Sequence, residues 1–261
     1  MEKQEKVIVV KIGGSTLGSH DTTIEDVVEL QKRGKHLVVV HGGGKAITEW
    51  LAKQGIPAKF VRGERVTDRK TLDVVIAVLA GLVNKEIVAD INNSGGKAIG
   101  ISGVDGGIVH GKVKNAEMGY VGVITRIDIS PLKALLESGF VSVIATVALN
   151  VTAEVGDAKV LNINADTVAG DVASAFGAEK LIFLTDVDGI HDASGKILSS
   201  LSKNEAEALV SSGVASGGMI PKINACLKAM SGNTSTCIID GRQPHALLDY
   251  IEGRESGTVI K

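Results

Sequence analysis

Aromatic residues are scarce: four Phe, two Tyr and one Trp make up 3% of the chain. Rings therefore cannot fill the interior, and the packing falls to Val, Ile, Leu and Ala. Proline is also rare, four residues against 32 glycines, so regular elements run uninterrupted and the tight loops are built on glycine. The two cysteines, Cys226 and Cys237, have neither metal-ligand nor redox spacing, which excludes a zinc module and a disulfide scaffold. Cys226 falls in a helical pattern and Cys237 heads an apolar run, so both read as small buried hydrophobes. The formal charge of −2 lacks the clustered cations that phosphate neutralisation requires, which argues against a nucleic-acid partner.

No apolar run approaches the roughly 20 residues of a membrane span. The charged N-terminus, Met1-Glu2-Lys3-Gln4-Glu5-Lys6, has no apolar signal core behind it. These absences imply a cytoplasmic protein without membrane attachment, in which the sequons Asn150-Val151-Thr152 and Asn233-Thr234-Ser235 are incidental. Two common phosphate signatures are missing as well. Gly44-Lys45 is followed by Ala46 and has no earlier partner glycine, so it is not a P-loop, and no G-x-G-x-x-G opens the first helix.

What is present repeats one grammar. Val7-Ile8-Val9-Val10-Lys11-Ile12-Gly13-Gly14 is a β-branched apolar run that ends in a lysine and two glycines, and such a run reads as a buried strand. Leu37-Val38-Val39-Val40-His41-Gly42-Gly43-Gly44 repeats it. Thr22 or Thr23 can cap a helix through about Lys32, with Glu25 and Asp26 in its first turn. A second helix follows from about Lys45 to Gln54. Two strand–glycine–helix units predict a mainly parallel α/β sheet with ligand loops at the carboxyl ends of its strands.

Thr71 to Ile91 is a long helical pattern, apolar nearly all round, which implies burial on more than one side and a subunit interface. Ala98–Ser102 and Val141–Ala145 read as core strands, Ile108 to Ile127 as small antiparallel strands on the sheet's edge, and Gly257–Ile260 as an edge strand. Pro131 starts a short helix ending near Gly139. A change of role is expected near residue 175, after the helix Thr167–Phe176. Leu181–Leu184 is then a buried strand running into an acidic turn. No linker separates the halves, so the expectation is two lobes of one sheet, residues 1–175 and 176–261.

Several polar residues stand out, each with two readings. Lys11 either reaches a bound phosphate or simply reaches water at a strand end. Lys222, just after Pro221 in a helix start, is unfavourable to the helix dipole unless it serves an anion; otherwise it is an exposed loop lysine. Asp166 is either a helix cap or a functional carboxylate. Asn162 and Asn164 interrupt an apolar strand, and their amides need partners, the simplest being a polar ligand. Arg65 is a carboxylate clamp or a surface residue within the basic segment Lys59 to Lys70. Asp186, Asp188 and Gly189 could hold a ribose, a metal or only a turn. His41 reads as structural.

Together these pieces resemble the amino-acid kinase family over Val7 to Ile260. The resemblance rests on Lys11-Ile12-Gly13-Gly14, Val40-His41-Gly42-Gly43-Gly44, Arg65-Val66-Thr67, Asn84-Lys85, Leu161 to Asp166, Thr185 to Gly189 and Gly218-Met219-Ile220-Pro221-Lys222, in that order. It implies a three-layer αβα sandwich of two lobes and phosphoryl transfer from ATP, with Mg2+, to the side-chain carboxylate of N-acetyl-L-glutamate, as in arginine synthesis. It further implies that Lys11 and Lys222 stabilise charge on the transferring group while Asp166 positions them. Gly13, Gly14 and Gly44 would line the phosphates, and Gly43, Gly44, Arg65 and Asn162 the amino-acid substrate. Asp186, Val187, Asp188, Gly189, Ile190 and His191, with Val214, Ala215 and Ser216, would lie along the nucleotide. Protein ligands for magnesium are not identified.

Two departures from the family pattern add expectations. The chain starts almost directly at its first strand, without the extra helix of arginine-inhibited hexameric relatives, which implies a homodimer through Thr71–Ile91 and poor arginine feedback. The basic segment also resembles relatives that phosphorylate aminoadipate or glutamate on an acidic carrier protein, and a catalytically silent nucleotide-binding paralogue is a third reading. The Asn162 to Asp166 text favours acetylglutamate, and the presence of Lys11, Lys222 and Asp166 weighs against silence.

Overall fold

The computed structural model describes residues 6–13, 22–254 and 256–261. In chain order the first part contains β1 (Val7–Ile12), α1 (Thr23–Lys32), β2 (His36–His41), α2 (Gly44–Lys53), β3 (Phe60–Val61), β4 (Glu64–Arg65) and α3 (Arg69–Ile76). A π-helical stretch, Ala77–Val83, joins α3 to α4 (Asn84–Asn93). Then come β5 (Ala98–Ser102), β6 (Val109–Val113), β7 (Gly122–Ile127), α5 (Ser130–Glu137), β8 (Val141–Ala145), β9 (Val147–Asn150), β10 (Val160–Asn162) and α6 (Ala165–Phe176). The last part contains β11 (Lys180–Thr185), β12 (Ile190–His191), β13 (Ile197–Leu198), β14 (Ser200–Leu201), α7 (Lys203–Ser211), α8 (Met219–Met230), β15 (Ser235–Asp240), α9 (Ala246–Ile251) and β16 (Thr258–Ile260).

Eight strands form one sheet in the order β14-β16-β15-β11-β1-β2-β8-β5. Its neighbours are parallel apart from β15 and β16. Side chains alternate across a strand, and both faces of this sheet are apolar. Val7, Val9, Val38 and Val40 pack on one core with residues of α5, α6, α7 and α8. Ile8, Val10, Leu37 and Val39 pack on a second core with α1, α2, the Arg69–Asn93 helix and α9. The result is the expected three-layer αβα sandwich.

The strand order also creates a crevice. From β1 the first half builds outward through β2, while the second half adds β11 and β15 on the other side. The carboxyl ends of β1 and β11 therefore mark a topological switch point, the place where open α/β sheets bind ligands.

Several expectations change at this level. β6 and β7 do not lie on the edge of the main sheet; with β9 and β10 they form a separate four-stranded sheet, ordered β10-β9-β6-β7. β6 alternates between buried and more exposed positions and β7 has no buried residue, and such partly exposed strands do not suit a layer covered by helices on both faces. β16 lies one strand in from the edge, because the short β14 pairs outside it. Thr22 occupies the N-cap position of α1 without a capping side-chain bond. Its Oγ1 instead accepts from the His245 amide at 2.6 Å, and Asp26 is buried beneath α9. Tertiary partners here outcompete local capping. Among the described residues no helix is long and apolar enough to cross a membrane.

Candidate active site

Lys11 is an odd-numbered residue of β1, so it shares the face of Val7 and Val9 and points toward α6 and α8. A glycine lets those two helices come close. At Gly170 of α6 an added Cβ would lie 2.7 Å from the Ala225 carbonyl oxygen of α8. That proximity lets Lys222 reach α6. Asp166 sits in the first turn of α6, with Lys11 Nζ 2.8 Å from Oδ1 and Lys222 Nζ 3.1 Å from Oδ2. All three side chains are largely buried. Asp166 is not the helix cap: Asn164 Oδ1 accepts from the amides of Asp166 and Thr167 at 2.9 and 3.2 Å, which leaves the Asp166 carboxylate for the lysines. Two ammonium groups share one carboxylate, so the cluster carries a net positive charge in a mostly desolvated place. Such a charge favours a bound anion.

The glycine loop after β2 lies beside this clamp. The Gly42 amide donates to the Ile12 carbonyl at 3.3 Å, and a Cβ on Gly42 would touch that of Ala165. Gly44 opens α2, and the first amides of that helix, at Gly44 and Lys45, have no acceptor among the described residues, as expected of a helix N-terminus. Gly43 packs closely against Leu79: a Cβ there would lie 2.6 Å from Leu79 Cδ2, so that side chain would have to shift.

Against the loop is a cavity of about 200 Å³, lined by Gly42 to Gly44, Ile47, Phe60, Arg65, Leu79 and Asn162 to Ala165, among others. Arg65 is 7% exposed. Its Nη2 donates to Gly44 O and Thr48 Oγ1, both at 2.8 Å, and Phe60 covers its plane with the ring centroid 4.7 Å from Cζ. Nη1 is buried without a hydrogen-bond partner, and no carboxylate pairs with the group among the described residues. Burial lowers the guanidinium's pKa, although an arginine stays charged. A buried cation with an unused donor, in a residue that lines a small cavity, suits an anionic group. Asn162 also lines the cavity; its Nδ2 donates to Thr67 Oγ1 at 3.0 Å, so part of its amide is satisfied within the protein.

Other expected site residues fall in more varied places. Gly13 is buried and its amide donates to Leu184 O at 3.1 Å, while Gly14 lies outside the described residues. Asp186, Asp188 and His191 are exposed past the carboxyl end of β11, with Val187 half-buried between them. His191 Nε2 is 3.2 Å from Asp188 Oδ1. Gly189 and Ile190 turn inward instead: Ile190 joins the core, and its amide donates to Thr258 Oγ1 at 2.8 Å. Val214 and Ser216 are exposed around a buried Ala215. Asp240, paired with Thr185 across β15 and β11, holds Arg242 at 2.8 Å, and that arginine feels the charges of Asp186 and Asp188. His41 is fully buried, and desolvation pushes its pKa down to about 4, so it stays neutral.

Sequence reasoning missed Thr48 and Phe60, and Asn164, expected to meet a polar ligand, instead caps α6. Thr48 lies one turn beyond Gly44 in α2, a spacing that could have been noticed. Nothing local to Phe60 announces its contact with Arg65.

Among described residues no three His, Cys, Asp or Glu side chains converge to hold a metal ion. Comparison with known proteins agrees with the geometry. Acetylglutamate kinase from Dehalococcoides mccartyi is 45% identical over 260 residues, 99% of this chain and 96% of that one. Acetylglutamate kinase from Nostoc sp. is 45% identical over 93% of this chain and 83% of its own. The crystal structure of N-acetylglutamate synthase from Neisseria gonorrhoeae, complexed with coenzyme A and N-acetyl-glutamate, superposes with a TM-score of 0.84 at 25% identity, over 98% of this chain and 59% of that one. The sequence pattern of the amino acid kinase family matches residues 6–240, and with the lysine clamp and the glycine loop in place at the switch point of the sheet, the chain belongs to the amino acid kinase family.

Proposed function

We propose that this chain transfers the γ-phosphoryl group of ATP to the side-chain carboxylate of N-acetyl-L-glutamate, yielding N-acetyl-L-glutamyl 5-phosphate in the cytoplasmic synthesis of arginine. The observation that carries the proposal is a glycine loop with a cationic group on either side, the Lys11–Asp166–Lys222 clamp next to Ala165, which Gly42 meets, and Arg65, which is bonded to Gly44 and keeps an unused Nη1. Curated relatives that match nearly the whole chain carry the same activity in their names.

In this reading Arg65 takes the substrate's α-carboxylate, and Asn162 and Gly43 line its body. The γ-carboxylate is then directed toward the clamp. A side-chain carboxylate of pKa about 4.3 is already ionised at neutral pH, so no general base is required. Catalysis reduces to alignment and charge neutralisation. Lys11 and Lys222 neutralise the charge on the transferring group, the amide of Gly44 donates to it, and Asp166 holds both ammonium groups in position.

The crevice suits ATP. The cationic clamp would meet its phosphates, and Asp186, Asp188, His191, Val214 and Ser216, exposed after β11 and before α8, would lie along the nucleotide. Magnesium would be carried chiefly by phosphate oxygens of ATP and by water. On the Arg69–Asn93 helix, Ala77, Gly81 and Leu82 are exposed. This small apolar strip supports a homodimer formed through that helix, which sedimentation would detect.

The deciding assay couples ADP formation to acetylglutamate, free glutamate, aminoadipate and a carrier-bound glutamate in parallel. Turnover with acetylglutamate well above the other three is expected. Turnover only with the carrier-bound substrate, or none at all, defeats the proposal.

A further inference from the structure

We propose that Asn84 is a positioning residue for phosphoryl transfer: it holds His41 in the Nδ1–H tautomer, and that proton fastens the Gly42 carbonyl at the entrance to the glycine loop. The catalytic consequence rests on the reading of Gly42–Gly44 as the loop that receives the transferring group.

His41 and Asn84 are both fully buried. Asn84 Nδ2 lies 3.1 Å from His41 Nε2, 2.9 Å from Val143 O and 3.3 Å from Ile101 O. Lys85 Nζ donates to Asn84 Oδ1 at 3.0 Å and to Gly100 O at 2.9 Å. These neighbours fix which way the amide points. Flipping it would set Oδ1 against two carbonyl oxygens and the NH2 group against an ammonium, both repulsive.

An amide nitrogen only donates, so His41 Nε2 must present its lone pair. A neutral imidazole then carries its proton on Nδ1. Nδ1 lies 2.9 Å from Gly42 O, so this proton is donated to the loop. The depressed pKa of His41 agrees with a neutral ring. Gly42 is thereby held at both ends, its amide by Ile12 O in β1 and its carbonyl by His41. The next two residues are Gly43 and Gly44.

Two further features accommodate the network. A methyl group on Gly100 would overlap Asn84 Oδ1, so the glycine of β5 makes room for the amide. The π-helical stretch ends at Val83, directly before Asn84. A π turn shifts the angular position of the helix that follows it, and here it delivers Asn84 to the end of β2. The network thus connects the helix Arg69–Asn93 and the strands β5 and β8 to the glycine loop, from the side opposite the lysine clamp.

The tautomer is measured directly. In protein labelled with 15N-histidine, long-range proton–nitrogen correlation should show His41 with a protonated Nδ1 and a bare Nε2 across neutral pH. A protonated Nε2 in the unmodified protein overturns the proposal, and this measurement requires no turnover. The second arm compares two substitutions. In His41→Asn the amide nitrogen takes the place of Nδ1 and keeps the bond to Gly42. In His41→Gln the amide reaches toward the place of Nε2, keeps the bond to Asn84 and loses the one to the loop. His41→Asn should retain a kcat about tenfold or more above that of His41→Gln. Their KM values for acetylglutamate should agree within about threefold. Equal loss, or the reverse order as expected if His41 only fills space, overturns the positioning role. If the unmodified protein is inactive on acetylglutamate, the functional reading fails and the tautomer measurement still judges Asn84.

Discussion

Arg65 Nη2 donates to the carbonyl oxygen of Gly44 at 2.8 Å, which ties a guanidinium in the wall of the cleft to the loop beside the lysine clamp. The same nitrogen meets Thr48 Oγ1, while Nη1 is buried without a partner. One side of the guanidinium is thus anchored, and the other keeps a donor that no described residue uses.

Replacing Arg65 should separate binding from turnover. Arg65→Met is expected to raise the KM for acetylglutamate by about 10- to 100-fold, the cost of a charge-assisted pair of about 1.5–3 kcal/mol, with a smaller effect on kcat. It also removes a buried cation with no counter-ion, so the melting temperature of the unliganded protein should not fall. Saturating acetylglutamate at about 100 times its Kd should stabilise the unmodified protein by about 2.7 kcal/mol. At the same concentration the variant should be stabilised by only about 0.4–1.4 kcal/mol.

The clamp should respond differently. Lys222→Ala removes one of two cations from a largely buried site, and kcat is expected to fall by about 100-fold or more while acetylglutamate binding changes little. Steady-state kinetics beside calorimetric binding checks the split, and a variant with ordinary turnover removes Lys222 from the site. Asp166→Asn leaves two buried ammonium groups facing each other. It should lower both kcat and stability, the latter by about 3 kcal/mol in urea unfolding.

Gly43→Ala forces its new methyl against Leu79, which is packed and 2% exposed. Overpacking of this kind costs about 1–3 kcal/mol, and because Leu79 lines the cleft, the expected effect is a raised KM for acetylglutamate. Adding Leu79→Ala should restore much of the loss. No rescue would mean that the glycine serves another purpose.

A pH effect is expected far from the chemistry. His245 Nδ1 lies 2.7 Å from Asp26 Oδ1, and this hydrogen bond raises the imidazole pKa above its ordinary 6.5. A raised folded-state pKa contributes stability that is fully present below 6.5 and is lost as pH rises through the folded value. Asp26 is also shifted upward, chiefly by burial, so its contribution has the same sign, beginning from its ordinary 3.8. Melting temperature should therefore decline as pH rises above about 6.5. The decline should be shallower in His245→Gln; equal slopes would remove the Asp26–His245 contact as its cause.

The core strands were legible because β-branched runs bounded by glycine admit little else. Val7–Ile12, Leu37–His41 and Val141–Ala145 all lie in the main sheet. The stretch 108–127 was legible as small strands but not as a second sheet, since pairing partners depend on distant residues 147–162. Asn164 and Asp166 both suit a helix start, and composition could not say which one caps. Contact with the lysines decided it.

By itself the sequence determined the α/β class, the glycine loops at strand ends and the candidate residues, because periodicity and backbone freedom are local properties. Only the tertiary structure decided that Lys11 and Lys222 share Asp166, that Arg65 has a donor to spare, and that Asn84 meets His41. Each of these depends on which distant groups desolvate one another, and burial is a property of the assembled fold.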